Sequence, residues 1–299
     1  MKPKLLPLIA AFICLTHSLF AQDFRTTFRE LTGKGDTTAT LKLLHTWQKA
    51  KPNDPEMYVA FYNYYALEGL KEVLSLQKEQ PGGKSFQLTD SAGKVAGYLG
   101  RRPGLSINYL NQGFKYIDSA IAKFPTRLDM RFGKVYVLGR MEDYEKFTGE
   151  IIKTIEFGQG INFKWLWTDN KPLDDPEKFM LGSVQDYVIQ LFNAGDQYTG
   201  YMGDIAQTIL KYKPDHVESL SNLAISYMIK KDYPHAVEQL LKAEKLAPHD
   251  YIVLNNIAYC YELQGNKPNA INYYKLVKQY GNDEAKLAAD KKIQVLQKQ

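Results

Sequence analysis

Apolar residues in the C-terminal third of the chain recur with the period of a helix, and the same pattern starts again 34 residues later. From Val217, the residues Leu220, Leu223, Ala224 and Tyr227 fall at i, i+3, i+4 and i+7, one stripe of a 3.6-residue helix. Ala236, Leu240 and Ala243 form a second stripe, which closes at Pro248. Restarting at Tyr251 places Leu254, Ile257, Ala258, Tyr261, Ala270, Tyr274 and Val277 in the same slots. Each repeat therefore predicts two antiparallel helices. Asp232-Tyr233-Pro234 supplies the turn between them, since proline is tolerated in the first turn of a helix. Small residues such as Ala224 and Ala236 let the two axes approach closely, and Pro248 stops the second helix.

The pattern is looser upstream. Thr38 to Lys51 predicts a helix with Leu41, Leu44 and Trp47 on one side, ended by Pro52. Another opens at Pro55 with Tyr58, Phe61, Tyr62 and Tyr65, and its partner comes only at Ile107 to Lys123, closed by Pro125. Leu128 begins a further unit, whose Asp143 to Phe147 corresponds to Asp232 to Ala236. Met180 to Leu210 reads as more helix, giving four or five hairpins in all. Two stretches break the helical rhythm. About residues 71–99 alternate as strand, turn, strand, turn, strand, which predicts a three-stranded meander. Gly158 to Pro176 has no period and carries Phe163, Trp165 and Trp167 at alternate or near-alternate positions. Beyond the repeats, 284–299 reads as a polar capping helix, with Leu287, Ile293 and Leu296 covering the end of the stack.

The paired stripes at this spacing resemble the tetratricopeptide (TPR) family. The resemblance implies an all-α superhelix of helical hairpins, here with a small inserted β meander. It also implies ligand contacts on the inner face of the first helix of each pair. In this sequence those positions are Glu218, Ser221, Ile225, Met228 and Ile229, then Ile252, Asn255, Tyr259, Glu262 and Leu263. They are mostly apolar with a few polar hooks, which suits a protein or peptide partner laid in a groove. The same positions also serve to pack a neighbouring helix of the chain. Asn222 and Asn256 recur one slot further on, without the Lys and Arg set that clamps a terminal carboxylate in chaperone-type repeats.

Residues 1–21 read as a secretory signal peptide: Lys2 and Lys4, an apolar run from Leu5 to Leu15, and Ser18-Leu19-Phe20-Ala21 ahead of Gln22. The run is too short to span a bilayer, and Cys14 lacks the small preceding residue that lipidation requires. The export signal and the aromatic helix at Tyr58 to Tyr65 are similar to exported TPR proteins of Bacteroidetes, which implies a periplasmic or surface-associated protein. The expected organisation is signal peptide (1–21), degenerate helical region with the β insert and Trp loop (22–180), regular repeats (181–283) and cap (284–299).

Without Lys2 and Lys4 the chain carries 36 basic against 33 acidic residues, scattered along the sequence, which disfavours nucleic acid as a partner. Cys260 alone remains after Ala21, so an intrachain disulfide is excluded. His216, His235 and His249 lie at turns without the i, i+4 spacing of a zinc site, and no phosphate-cradling loop or nucleophile elbow occurs. No metal, cofactor or catalytic constellation is expected, and the leading reading is an exported scaffold rather than an enzyme. The alternative is a small-ligand or glycan-binding protein using the Trp165/Trp167 loop and the β insert, because exposed aromatic rings stack on ligands. The same rings also serve to pin an irregular loop to the core.

Overall fold

The computed structural model describes residues 23–80, 84–102 and 104–298. The expected signal peptide, with Cys14, lies outside the described residues. The chain divides into two compact units that meet between Tyr116 and Ile117, earlier than the change in repeat regularity near residue 180.

In the first unit, α1 (Phe24–Lys34), α2 (Thr37–Ala50) and α3 (Pro55–Gly69) follow one another closely. Asp23, Asp36 and Asp54 cap them, each carboxylate accepting from backbone N–H groups of the first turn. Trp47 stacks on Phe24 at 5.3 Å, and its indole N–H donates to Asp54 Oδ2 at 2.9 Å, tying the end of α2 to the start of α3. The partner of α3 is α4 (Ile107–Lys123), at the limits its periodicity predicts. The two are joined by aromatic stacking: Phe61 lies on Tyr116 at 4.1 Å between centroids, with Tyr65 beside it at 5.7 Å. Gly113 permits this approach, since a Cβ there would sit 3.2 Å from Tyr65 Cβ.

The insert between α3 and α4 contains β1 (Val73–Gln77), β2 (Ser85–Thr89) and β3 (Val95–Arg102). The three strands occur where alternation places them, but they are not a meander: the order is β1-β3-β2, all neighbours antiparallel. β2 and β3 form a hairpin at Asp90, whose carboxylate accepts from the N–H groups of Ala92 and Lys94. β1 then takes the other edge of β3. Gly97 makes this possible, because a Cβ there would approach the Gln77 carbonyl to 2.9 Å.

The second unit holds α5 (Leu128–Arg140), α6 (Tyr144–Gly160), α7 (Pro176–Ala194), α8 (Thr199–Tyr212), α9 (Val217–Ile229), α10 (Tyr233–Leu246), α11 (Tyr251–Leu263), α12 (Lys267–Tyr280) and α13 (Asp283–Lys298). Asp143, Asp175, Asp232 and Asp250 cap α6, α7, α10 and α11, and Asn266 caps α12. Counting α1–α2 and α3–α4, six helix pairs occur among the described residues, more than the four or five expected. α7 and α8 occupy the helical stretch expected from Met180 to Leu210, whereas α1, a short helix of low apolar content, lies outside the expected helices and completes the pair with α2.

Ala224, Ala236 and Ala243 are fully buried where α9 crosses α10, and Ala258 and Ala270 where α11 crosses α12. One cluster joins Leu220, Leu240, Val253 and Ile257 across the two pairs, so neighbouring hairpins share a core. α13 ends the stack as a cap, with a correction to its buried face: Ala289, Ile293 and Leu296 are buried while Leu287 is exposed. The helix begins one residue before the expected start, and Leu287 falls outside the stripe.

Overpacking a helix crossing costs about 1–3 kcal/mol, so Ala270→Leu should lower the urea unfolding free energy by that amount. Leu287→Ala, on the exposed face of the cap, should change it by no more than about 0.5 kcal/mol. Equal stability of the Ala270→Leu chain and the wild type would refute close packing at this crossing.

Candidate functional site

A groove of about 400 Å³ runs along α7, α9 and α11. Val188, Ile189 and Phe192 of α7 form one wall, and Ser221 and Ile225 of α9 with Ile252 and Val253 of α11 form the other. Phe192 is 50% exposed and Ile252 55%, so large apolar groups face solvent. Polar groups lie among them: Asn222 Nδ2 donates to Gln185 Oε1 at 2.7 Å, fixing the α7–α9 spacing, and Asn256 lines the same surface. Glu218 and Asp250 supply the charge of this lining, which includes no Lys or Arg. The Asp250 carboxylate is already engaged as a helix cap, accepting from the N–H groups of Ile252 and Val253 at 2.8 and 3.4 Å. Glu218 is the freer anion.

Of the residues proposed from sequence, Glu218, Ser221, Ile225 and Ile252 line this groove. Met228 does not; it is buried in the core shared by α9, α10 and α11. Asn255 and Tyr259 lie exposed on α11 outside the lining. Glu262 is engaged within the chain: Lys292 Nζ of α13 donates to both of its oxygens at 2.8 and 3.1 Å, and Tyr274 Oη donates at 2.7 Å. Lys292 also lies 5.4 Å from the Tyr259 ring, so the cap addresses that end of α11. The α7 wall was not read from sequence because α7 has no repeat register. Asn222 and Asn256 were visible as a recurring pair and belong to the groove.

A second, more polar cavity of about 490 Å³ shares Gln185 and Glu218 with the first and adds Glu177, Lys213 and His216. Lys213 Nζ donates to Glu177 Oε1 at 2.6 Å. His216 occupies the cap position of α9, where Nδ1 accepts from Ser219 N at 3.3 Å, and Nε2 lies 3.5 Å from Glu218. Burial lowers the His216 pKa below its ordinary value; Glu218 opposes the shift and Lys213 adds to it. Among the described residues, no group of three or more His, Cys, Asp and Glu is placed to hold a metal ion.

The tryptophan loop contains β4 (Leu166–Trp167) and β5 (Lys171–Pro172), a short antiparallel ribbon turned by Asp169 and Asn170, both in the left-handed region. Trp165 is only 1% exposed. Arg131 lies over Phe157 at 4.3 Å and over Trp165 at 5.6 Å, donating from Nε to the Pro125 carbonyl. Arg127, fully buried, makes two 2.8 Å bonds to Asp129 and a third to Asn170 Oδ1 at 3.2 Å. Trp167 is half-buried against Phe179. The loop is thus fastened to α5 and α6, and the Trp165 ring offers no open face. The two arginines that fasten it were not singled out in the sequence.

No protein-family model matches the chain, and no curated protein matches it. Solved structures similar to it include a tetratricopeptide repeat protein from Parabacteroides merdae, at 12% identity over 92% of this chain and 85% of that one, with a TM-score of 0.40. The C-terminal part of a TPR repeat-containing protein from Cytophaga hutchinsonii is 13% identical over 86% and 79%, TM-score 0.42. YrrB, a TPR protein with an unusual peptide-binding site, is 12% identical over 83% and 97%, TM-score 0.39. The TPR-like architecture of this chain stands on its own paired helices and their spacing. Among the described residues, no helix is long and apolar enough to cross a membrane.

Two outcomes are expected. Trp165→Ala should destabilise the second unit by about 3–5 kcal/mol, as loss of a buried aromatic does; an unchanged melting curve would mean that the ring is not part of the core. His216 binds a proton less readily folded than unfolded, so its contribution is complete above the ordinary value of 6.5 and declines as pH falls from there toward the lower folded value. The unfolding midpoint of the wild type should fall on acidification from about pH 7 to pH 5 by more than that of His216→Asn, whose cap does not titrate.

Proposed function

We propose that the protein is an exported, non-catalytic scaffold that holds a segment of a protein partner in the groove of α7, α9 and α11. The observation that carries this reading is the row of solvent-facing Ile189, Phe192 and Ile252 interspersed with Gln185, Asn222 and Asn256. Apolar anchors bury area, and fixed amides orient a backbone or polar side chain. The acidic balance of the lining favours a segment that carries apolar residues together with a Lys or Arg near Glu218. The signal-like residues 1–21 support a periplasmic or surface location. The ligand-binding alternative through Trp165 loses its main support, since that ring is enclosed.

The test is photo-crosslinking from position Ile225 in the native envelope fraction, with the crosslinked partner peptide sequenced. A single dominant peptide, apolar and basic, should be recovered. It should be lost at least about tenfold in Phe192→Ala/Ile252→Ala, matching removal of two anchors worth more than 1 kcal/mol each. Equal recovery by the double variant, with its melting curve unchanged, would exclude the groove as the binding site.

A further inference from the structure

The three-stranded sheet of the insert is turned inside out. Leu74 and Leu76 of β1, Leu99 of β3, and Phe86 and Leu88 of β2 share one face, with Leu76, Leu99 and Phe86 directly in line across the strands. Three of these are among the most exposed large apolar groups described: Leu74 at 65%, Leu76 at 68% and Phe86 at 75%. On the opposite face, Ser75 Oγ and Gln77 Nε2 are buried without a hydrogen-bond partner. A soluble antiparallel sheet with one wet face normally alternates the other way. Scattered exposed apolar residues are ordinary, but a contiguous row of this kind marks a surface that is covered in use.

The charge around this face identifies the cover. Residues 71–102 carry six basic side chains, Lys71, Lys78, Lys84, Lys94, Arg101 and Arg102, against Glu72, Glu79 and Asp90. That excess of three equals the whole excess of the chain after Ala21, where 36 basic residues face 33 acidic ones. All six cations are exposed. Arg101 lies on the apolar face itself, opposite Leu74, and its contact to Glu72 is long at 3.6 Å. Lys71, Lys84, Arg101 and Arg102 cluster at the end where β1 and β2 begin and β3 finishes, and two carboxylates oppose the four: Glu72, and Glu68 of α3, whose Oε2 lies 3.5 Å from Lys71 Nζ.

From this arrangement we propose that the insert docks on an anionic bilayer surface. Leu74, Leu76 and Phe86 enter the interfacial region, and the cationic end pairs with acidic headgroups. Apolar side chains rimmed by Lys and Arg are the combination that binds such surfaces, through buried area plus attraction to anionic lipid. A second copy of the chain is the poorer cover, because pairing the two faces would bring six excess positive charges together.

The experiment is vesicle co-sedimentation with the chain beginning at Gln22, which retains every described element and lacks the apolar residues 5–15. Vesicles of phosphatidylcholine alone are compared with vesicles containing about one third phosphatidylglycerol. Strong binding to the anionic vesicles only is expected, reduced at least about tenfold at 0.5 M salt by screening. Leu76→Ser/Phe86→Ser and Lys84→Glu/Arg101→Glu should each lose at least about tenfold. All four positions are exposed, so the melting curves should match the wild type. Should either pair melt early, the single variants Leu74→Ser and Arg102→Glu carry the test. Absence of binding, equal binding to both vesicle types, or undiminished binding by the variants would overturn the proposal, as would capture by soluble polyglutamate but not by vesicles. Failure here leaves the groove of the second unit untouched, because Phe192 and Ile252 are unaltered.

Discussion

Paired helices in this chain cross so closely that only the smallest side chains fit between them, and much of the remaining structure depends on that approach. Ala224, Ala236 and Ala243, then Ala258 and Ala270, have no exposed surface. Each lets a larger neighbour such as Leu240 or Tyr274 fill the space beside the crossing, as native packing density requires. Glycine meets the same constraint elsewhere. A Cβ on Gly203 of α8 would lie 2.8 Å from Ser226 Oγ of α9, and Gly113 of α4 admits the Tyr62 ring and the Tyr65 Cβ of α3. Alanine at one crossing gives way to glycine at another, where the facing residue leaves no room for a Cβ.

This exchange explains what the sequence reveals and what it hides. Where the small residue is alanine in a 34-residue register, the helix starts can be read, as α9 at Val217, α10 at Tyr233 and α11 at Tyr251 show. Aspartate caps sharpen the boundaries: Asp143 and Asp232 take equivalent places before α6 and α10, each accepting from the N–H three residues on. The limits of α4 were legible despite the long insert, because its aromatic stripe and Pro125 are local signals. Strand order was not legible, since alternation reports which face a residue occupies and says nothing about which strand lies in the centre. In the groove, the α9 and α11 residues followed from the repeat, whereas Phe192 and Ile189 required the placement of a helix with no register. Glu262 needed the position of Lys292, thirty residues away.

The insert is tolerated because of how its ends are held. Phe61 and Tyr116 stack almost parallel, at 3° between planes, so α3 and α4 stay paired without a short connection. At the base, Ser106 N donates to the Gly69 carbonyl at 2.8 Å, and Gly104 lies against the Lys71 carbonyl, where no Cβ would fit. The closure cost of a loop grows only slowly with its length. Once the helix pair is fixed, adding three strands at its tip therefore costs little more than a short turn would.

Charge is distributed in a way that separates the two surfaces by mechanism. Outside residues 71–102, the chain after Ala21 carries thirty basic and thirty acidic residues, so its repeats have no net charge to steer a partner from a distance. Recognition in the α7–α9–α11 groove would then depend on contacts made at short range: apolar burial at Phe192 and Ile252, amides held in place by the Asn222–Gln185 bond, and one freer carboxylate at Glu218. Such binding weakens little with salt. The insert is the reverse case, where a local excess of three positive charges acts over about one Debye length, roughly 8 Å at physiological ionic strength. Salt dependence would therefore distinguish the two proposed surfaces: binding in the groove is expected to survive high salt, and binding through the sheet is not.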